Sequence, residues 1–231
     1  GQFRLIAPDM AGFGYSRAPE GMAFTRQAWL DQIVALLDGL GLDRVSVIGN
    51  SFGGSMALAL AIACPQRVDR MVLMGSVGVP FELTAGLDAV WGYEPSIEAM
   101  RAIMKVFAHD QSLIGEELVR LRFEASTRPG IQEAFASMFP APRQRWVDAM
   151  AHDEADIRAL PHSTLLIHGR DDQVIPLATS LTLLDWIVDS QLHVFGRCGH
   201  WTQIEHAARF NALIAGFLPE PRSAQEPDRR R

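Results

Sequence analysis

The chain has 231 residues, enough for one well-packed domain with room for a smaller insertion. Its 48% hydrophobic and 21% charged content is ordinary for a globular fold. The net charge of -6 argues against nucleic acid or an anionic membrane surface as the main partner.

The chain opens Gly1-Gln2-Phe3 without a Met, and Arg4 to Pro8, with the apolar run Leu5-Ile6-Ala7, reads as a buried strand. A domain rarely opens inside its sheet, so an upstream piece of the protein is expected. A Gly-rich loop over Asp9 to Ser16 follows. Thr25 predicts the N-cap of a helix running to Leu40, with Trp29, Ile33, Leu36, Leu37 and Leu40 at helical spacing and Gly41 as its stop. Val45 to Ile48 predicts a strand, Phe52 to Ala63 a buried helix ended by Pro65, and Arg70 to Met74 a second strand.

Residues 79–150 break the rhythm, with amphipathic helical patterns and turns at Gly86, Gly115 and Pro129-Gly130 but no strand pattern. Alternation then resumes: strand Thr164 to His168, helix Leu177 to Val188, strand Gln191 to Phe195, helix Thr202 to Phe217. This order predicts an α/β fold, a mostly parallel sheet flanked by helices. The expected division is a core in two parts, 1–78 and 151–218, a helical lid over 79–150, and a disordered Pro-rich, charged tail over 219–231.

Cys64 and Cys198 make neither a disulfide framework nor a zinc site, and both are expected to be free thiols in a cytoplasmic protein. No apolar run approaches ~18 residues, so no membrane helix is expected.

Gly49-Asn50-Ser51-Phe52-Gly53 matches G-x-S-x-G between a predicted strand and a predicted helix. That context makes it a nucleophile elbow. A sharp turn lifts the Ser51 hydroxyl to the sheet edge, and the Phe52 N–H faces a developing oxyanion. A serine hydroxyl needs a base. His200, in the loop Gly196 to Trp201 directly after the last strand, is the expected one. His168 at a strand end, His193 in a strand, His206 in a helix, and His109, His152 and His162 in lid or linker read as structural or surface residues. The orienting acid follows the preceding strand. In this fold it stands four residues before Pro176, which selects Asp172 over Asp171. The order Ser51, Asp172, His200 resembles that of the α/β hydrolases. An epoxide hydrolase or dehalogenase would need Asp at position 51. Gly12-Phe13-Gly14 lacks the third Gly and the acidic ribose ligand of a dinucleotide site, and the elbow lacks the Gly-Lys-Ser/Thr of a phosphate loop, so no nucleotide and no metal is expected.

Within that fold, Leu192 to Trp201, Asn50 to Gly54, Ala7-Pro8-Asp9-Met10 and Gly12-Phe13-Gly14 resemble the meta-cleavage product hydrolases. The lid segments Gly78 to Tyr93 and Met138 to Trp146 resemble the branch acting on 2-hydroxymuconic semialdehyde. The resemblance covers nearly the whole chain apart from the tail. It implies cofactor-free hydrolysis of the C–C bond beside the 6-oxo group of 2-hydroxy-6-oxo-dienoate ring-fission products. The products would be 2-hydroxypenta-2,4-dienoate and a carboxylic acid, formate for the aldehyde. It also implies substrate-binding roles for Asn50, Arg122 and Trp201, with Arg122 holding the carboxylate and dienolate end. The apolar lid residues Phe135, Met138, Phe139 and Trp146 read mostly as lid core, with shaping of the distal pocket as the alternative. Homo-oligomers are compatible with it, though no apolar surface is singled out. Residues 1–231 contain no match to the family's upstream strand and His-Gly-rich loop, which supplies a second oxyanion donor. A carboxylesterase or thioesterase of the same fold, and a non-catalytic ligand-binding hydrolase fold, are the competing readings.

Overall fold

The structure, a computed structural model, describes residues 3–219. Helix α1 (Arg26–Gly39) begins where Thr25 Oγ1 accepts the Ala28 N–H, so the predicted cap operates. Strand β1 (Val45–Asn50) leads into α2 (Phe52–Ala63), and β2 (Val68–Met74) follows. Five helices come next: α3 (Ala85–Trp91), α4 (Ile97–Phe107), α5 (Glu116–Ser126), α6 (Ile131–Met138) and α7 (Gln144–Met150). The short α8 (Glu154–Arg158) precedes β3 (Thr164–Gly169), then α9 (Leu177–Trp186) and β4 (Ser190–Phe195). Helices α10 (Thr202–Glu205) and α11 (Ala207–Phe217) end the described chain.

The four strands pair in the order β1-β2-β3-β4, all parallel. Side chains alternate across the sheet, as the strand period requires. Met71, Leu73 and Leu166 join a core with α1, α2 and α9. Val72, Met74, Leu165 and Ile167 join another with Phe210 and Phe217 of α11. Both faces are therefore covered, which explains the nearly unbroken apolar runs of β2 and β3.

Three expectations are corrected. Arg4 to Pro8 is not a strand: Leu5 is 82% exposed. A strand needs a ladder for its N–H and C=O groups. Among the described residues no strand lies on the outer edge of β1, where Ile48 is 45% exposed. The helix expected over Thr202 to Phe217 is broken at His206, whose φ is -126° and whose ring stacks on Phe195 at 4.7 Å. Helix α9 stops at Trp186, and Val188 is exposed. The tail expected to be disordered lies, from residue 220 on, outside the described residues. Among the described residues no helix is long and apolar enough to cross a membrane.

Candidate active site

Ser51 follows β1 directly and precedes α2, with φ 54° and ψ -117°. A non-glycine residue in that region is strained by about 1–3 kcal/mol. Its surroundings impose the turn. A Cβ on Gly49 would lie 2.3 Å from the Gly53 carbonyl oxygen, and one on Gly54 would lie 2.1 Å from Ser76 Oγ. Gly53 differs, because a Cβ there meets nothing within 4 Å. The Ser51 N–H donates to Met74 O at 2.9 Å, and Ser51 O accepts the Val77 N–H at 3.1 Å. The elbow is thereby tied to the segment that follows β2. Phe52 is the first residue of α2, so its N–H has no intrahelical acceptor.

Asp172 and His200 follow β3 and β4 at the same C-terminal sheet edge. His200 Nδ1 lies 2.7 Å from Asp172 Oδ2, and the two side chains are only 2% and 1% exposed. Asp172 Oδ1 accepts the N–H groups of Val174 and Ile175 at 2.7 and 3.0 Å. Burial alone would raise the Asp172 pKa. Hydrogen bonds from His168 and His200, with the Ile175 N–H, outweigh it and hold the carboxyl well below the usual carboxylate range. Asp171 points elsewhere: it accepts the Cys198 N–H at 3.3 Å and faces Arg170 and His109. Geometry thus pairs Asp172, and not Asp171, with His200.

Several neighbours of this pair were not anticipated. Gly75, at φ 45°, packs beneath it, and a Cβ there would stand 3.1 Å from both Asp172 Oδ2 and His200 Nδ1. Gly75 immediately follows Met74, which holds the Ser51 N–H, so the 74–77 segment bridges the serine and the Asp–His pair. The only sequence signal for this was a Gly directly after a strand. Phe107 is the second: its carbonyl accepts the His200 N–H at 2.7 Å, and its ring stacks on His200 at 5.6 Å. Glu205 is the third. Its carboxylate accepts the Gly199 N–H at 2.7 Å and the Asp110 N–H at 2.8 Å, linking the histidine loop to the segment after α4.

The other expected site residues are distributed as follows. Asn50 Nδ2 donates to Met74 O at 3.1 Å, bracing the elbow against β2. Trp201 is buried among Tyr93, Met100, Met104, Ala108 and Val119, and stacks on Phe107 at 5.2 Å. Arg122 lies exposed on α5, with its guanidinium carbon 5.4 Å from the Trp201 ring centre. Phe135, Met138, Phe139 and Trp146 pack in one cluster with Phe13 and Phe52. Burial, together with nearby Glu205, pushes the Cys198 thiol up to about 12, so it stays protonated beside the histidine. Both cysteines are free. Among the described residues no group of three or more His, Cys, Asp or Glu is arranged to hold a metal.

A serine on a strained turn, a buried His–carboxylate pair and an unpaired helix-start N–H can together perform acyl transfer to water. The sequence matches the family described as alpha/beta hydrolase fold over residues 2–207. It is 61% identical to the 2-hydroxymuconate semialdehyde hydrolase of Pseudomonas sp. (strain CF600), over 96% of this chain and 78% of that protein. It is also 61% identical to the 2-hydroxy-6-oxo-2,4-heptadienoate hydrolase of Pseudomonas putida F1, over 93% of this chain and 78% of the relative. Among solved structures, a mutant of the meta-cleavage product hydrolase CumD superposes with a TM-score of 0.92 at 56% identity, over 94% of this chain and 80% of that one.

Proposed function

From the premise that this chain belongs to the α/β-hydrolase fold family and, within it, to the meta-cleavage product hydrolases, we propose a mechanism and a set of residue roles for its reaction. The enzyme is a C–C bond hydrolase of aromatic meta-cleavage catabolism, acting on 2-hydroxy-6-oxo-dienoates. In our reading, His200 takes the Ser51 proton as Ser51 Oγ attacks the C6 carbonyl of the ketonised substrate. The oxyanion so formed accepts the Phe52 N–H, which is strengthened by its place at the start of α2. The C5–C6 bond then breaks, its electron pair leaving as the dienolate, which takes a proton from His200. Water, deprotonated by His200, hydrolyses the acyl-Ser51 ester. The net reaction adds one water and yields 2-hydroxypenta-2,4-dienoate and a carboxylic acid. Asp172 keeps His200 in the tautomer that can accept at Nε2 and stabilises the imidazolium.

Arg122 is assigned the substrate carboxylate and dienolate, a task suited to a planar guanidinium. Its place over Trp201, which stacks through Phe107 toward His200, supports that assignment. Asn50 contributes by holding the elbow, and Trp201 by walling the site. Formate as the acid product is supported by the semialdehyde named for the first relative. A cytoplasmic location is supported by the two cysteines being free thiols.

The observation that carries the mechanism is the buried 2.7 Å His200–Asp172 bond beside the strained Ser51 elbow. The experiment adds 2-hydroxymuconic semialdehyde and follows the loss of its visible colour. Ser51→Ala is expected to lower kcat by at least about 10⁴-fold. Undiminished decay in that variant would end the Ser51 assignment.

A further inference from the structure

A second histidine reaches the carboxylate of Asp172. His168 is the penultimate residue of β3, on the strand face that α9 covers, and it is fully buried. Its Nε2 lies 3.0 Å from the Ile175 carbonyl oxygen and 3.4 Å from Asp172 Oδ2. A carbonyl oxygen only accepts, so Nε2 carries the proton. Its Nδ1 lies 2.7 Å from Ser180 Oγ in the first turns of α9. With the proton on Nε2, Nδ1 is the ring's acceptor and takes the Ser180 hydroxyl proton. Two arms therefore converge on the Asp172 carboxylate, one from Ser180 through His168 and one from His200.

The same oxygen, Oδ2, accepts the His200 Nδ1–H at 2.7 Å and lies 3.4 Å from His168 Nε2, while Oδ1 accepts the Val174 and Ile175 N–H groups. A buried carboxylate with four N–H neighbours is fixed in orientation and its charge is spread over them. We propose that His168 is a positioning residue for the reaction: anchored by Ser180 and the Ile175 carbonyl, it holds Asp172 Oδ2 toward His200 and limits how strongly the Asp172–His200 pair binds a proton. This rests on the triad roles given above. The pair also faces other titratable groups, namely Cys198 in the histidine loop, Asp171 beside it, His109 of the lid at 3.8 Å from Asp171, and Glu205 of α10 behind Gly199. None of these shares the place of His168, whose Nε2 stands 3.4 Å from Oδ2 while bonded to the Ile175 carbonyl.

The sign follows from electrostatics. Removing a donor concentrates negative charge on Oδ2, so the Asp172–His200 pair holds its proton more tightly and the acid limb of kcat/KM moves to higher pH. For His168→Phe, which keeps ring volume, we expect kcat to fall about tenfold or more, KM to stay within about twofold, and the acid limb to rise by about one pH unit. His168→Gln, whose amide can donate from a similar place, should restore most of the limb. Ser180→Ala leaves the ring in place but frees Nδ1, and should shift the limb the same way by less. It serves as the reading if His168→Phe does not fold. In the unmodified enzyme, ¹⁵N NMR should show the His168 proton on Nε2, with Nδ1 as the acceptor of the Ser180 hydroxyl. An acid limb and kcat unchanged in His168→Phe, with only a lower Tm, would overturn the proposal, as would a His168 proton found on Nδ1 instead of Nε2. If Ser51→Ala and Asp172→Asn abolish turnover while His168→Phe does not move the limb, only this inference fails. If those two variants also retain full turnover, the triad roles fail with it.

Discussion

Gly75→Ala tests how tightly the 74–77 segment controls the Asp172–His200 pair. Two costs are expected. First, alanine at φ 45° is strained, by about 1–2 kcal/mol relative to glycine. For a domain of this size that corresponds to a Tm lower by roughly 2–8 °C. Second, the new methyl would stand 3.1 Å from Asp172 Oδ2 and His200 Nδ1 and 3.2 Å from His200 Cε1. Those atoms must yield by a few tenths of an ångström. A displacement of about 1 Å at a reacting group costs about a hundredfold, so a loss in kcat on the order of tenfold follows. KM should change by less than about twofold, since the expected carboxylate contact at Arg122 is on another element. The assay is steady-state loss of dienoate colour, paired with thermal unfolding followed by circular dichroism. Gly216→Ala is the control: in α11 a Cβ there meets nothing within 4 Å, so stability should rise by about 0.5–1 kcal/mol. A Gly75→Ala enzyme with unaltered kcat would refute the reasoning, because the Asp172–His200 geometry would then tolerate the intrusion.

Two further predictions concern groups beside the site. His152 is buried, with Nε2 2.9 Å from Ser55 O and 3.2 Å from Ser55 Oγ, and burial lowers its pKa to about 4 with a smaller push from Arg26. A histidine depressed in the folded state stabilises it above the unfolded value and loses that contribution as pH falls. The loss should reach about 2 kcal/mol at pH 5, seen as a fall in urea-unfolding free energy that His152→Phe removes. Glu205→Ala leaves the Gly199 and Asp110 N–H groups without their carboxylate. Each such bond contributes about 1.5–3 kcal/mol, so unfolding experiments should show a loss of several kcal/mol. A loss under about 0.5 kcal/mol would mean that the histidine loop does not depend on this clamp.

Local sequence signals determined much of what stays local in the structure. Thr25, the Ala/Leu-rich run after Ser51, and the β-branched run before it act through cap, helix and strand physics within a few residues. They place α1, α2 and β1 to within a residue or two. Strand–helix alternation sufficed for the parallel sheet, since a parallel crossover needs a covering helix. G-x-S-x-G and the spacing of Asp172 from Pro176 pointed to residues that the fold indeed brings to one sheet edge.

What the tertiary structure alone decided depends on partners far apart in the chain. Arg4 to Pro8 has the pattern of a strand, yet pattern does not supply a ladder, and among the described residues the segment joins none of the four paired strands. His206 breaks a helix that periodicity would have continued, at the position where its ring stacks on Phe195. Asn50 stands beside the serine in sequence, but its amide is taken up by Met74. Gly75, Phe107 and Glu205 carry no motif, and His168 reads as a core residue until α9 brings Ser180 to one nitrogen and the β3–α9 turn brings Asp172 to the other. Sequence spacing thus reveals groups that act through their own backbone turn, whereas groups that act by contact across elements become visible only when the sheet and its helices are assembled.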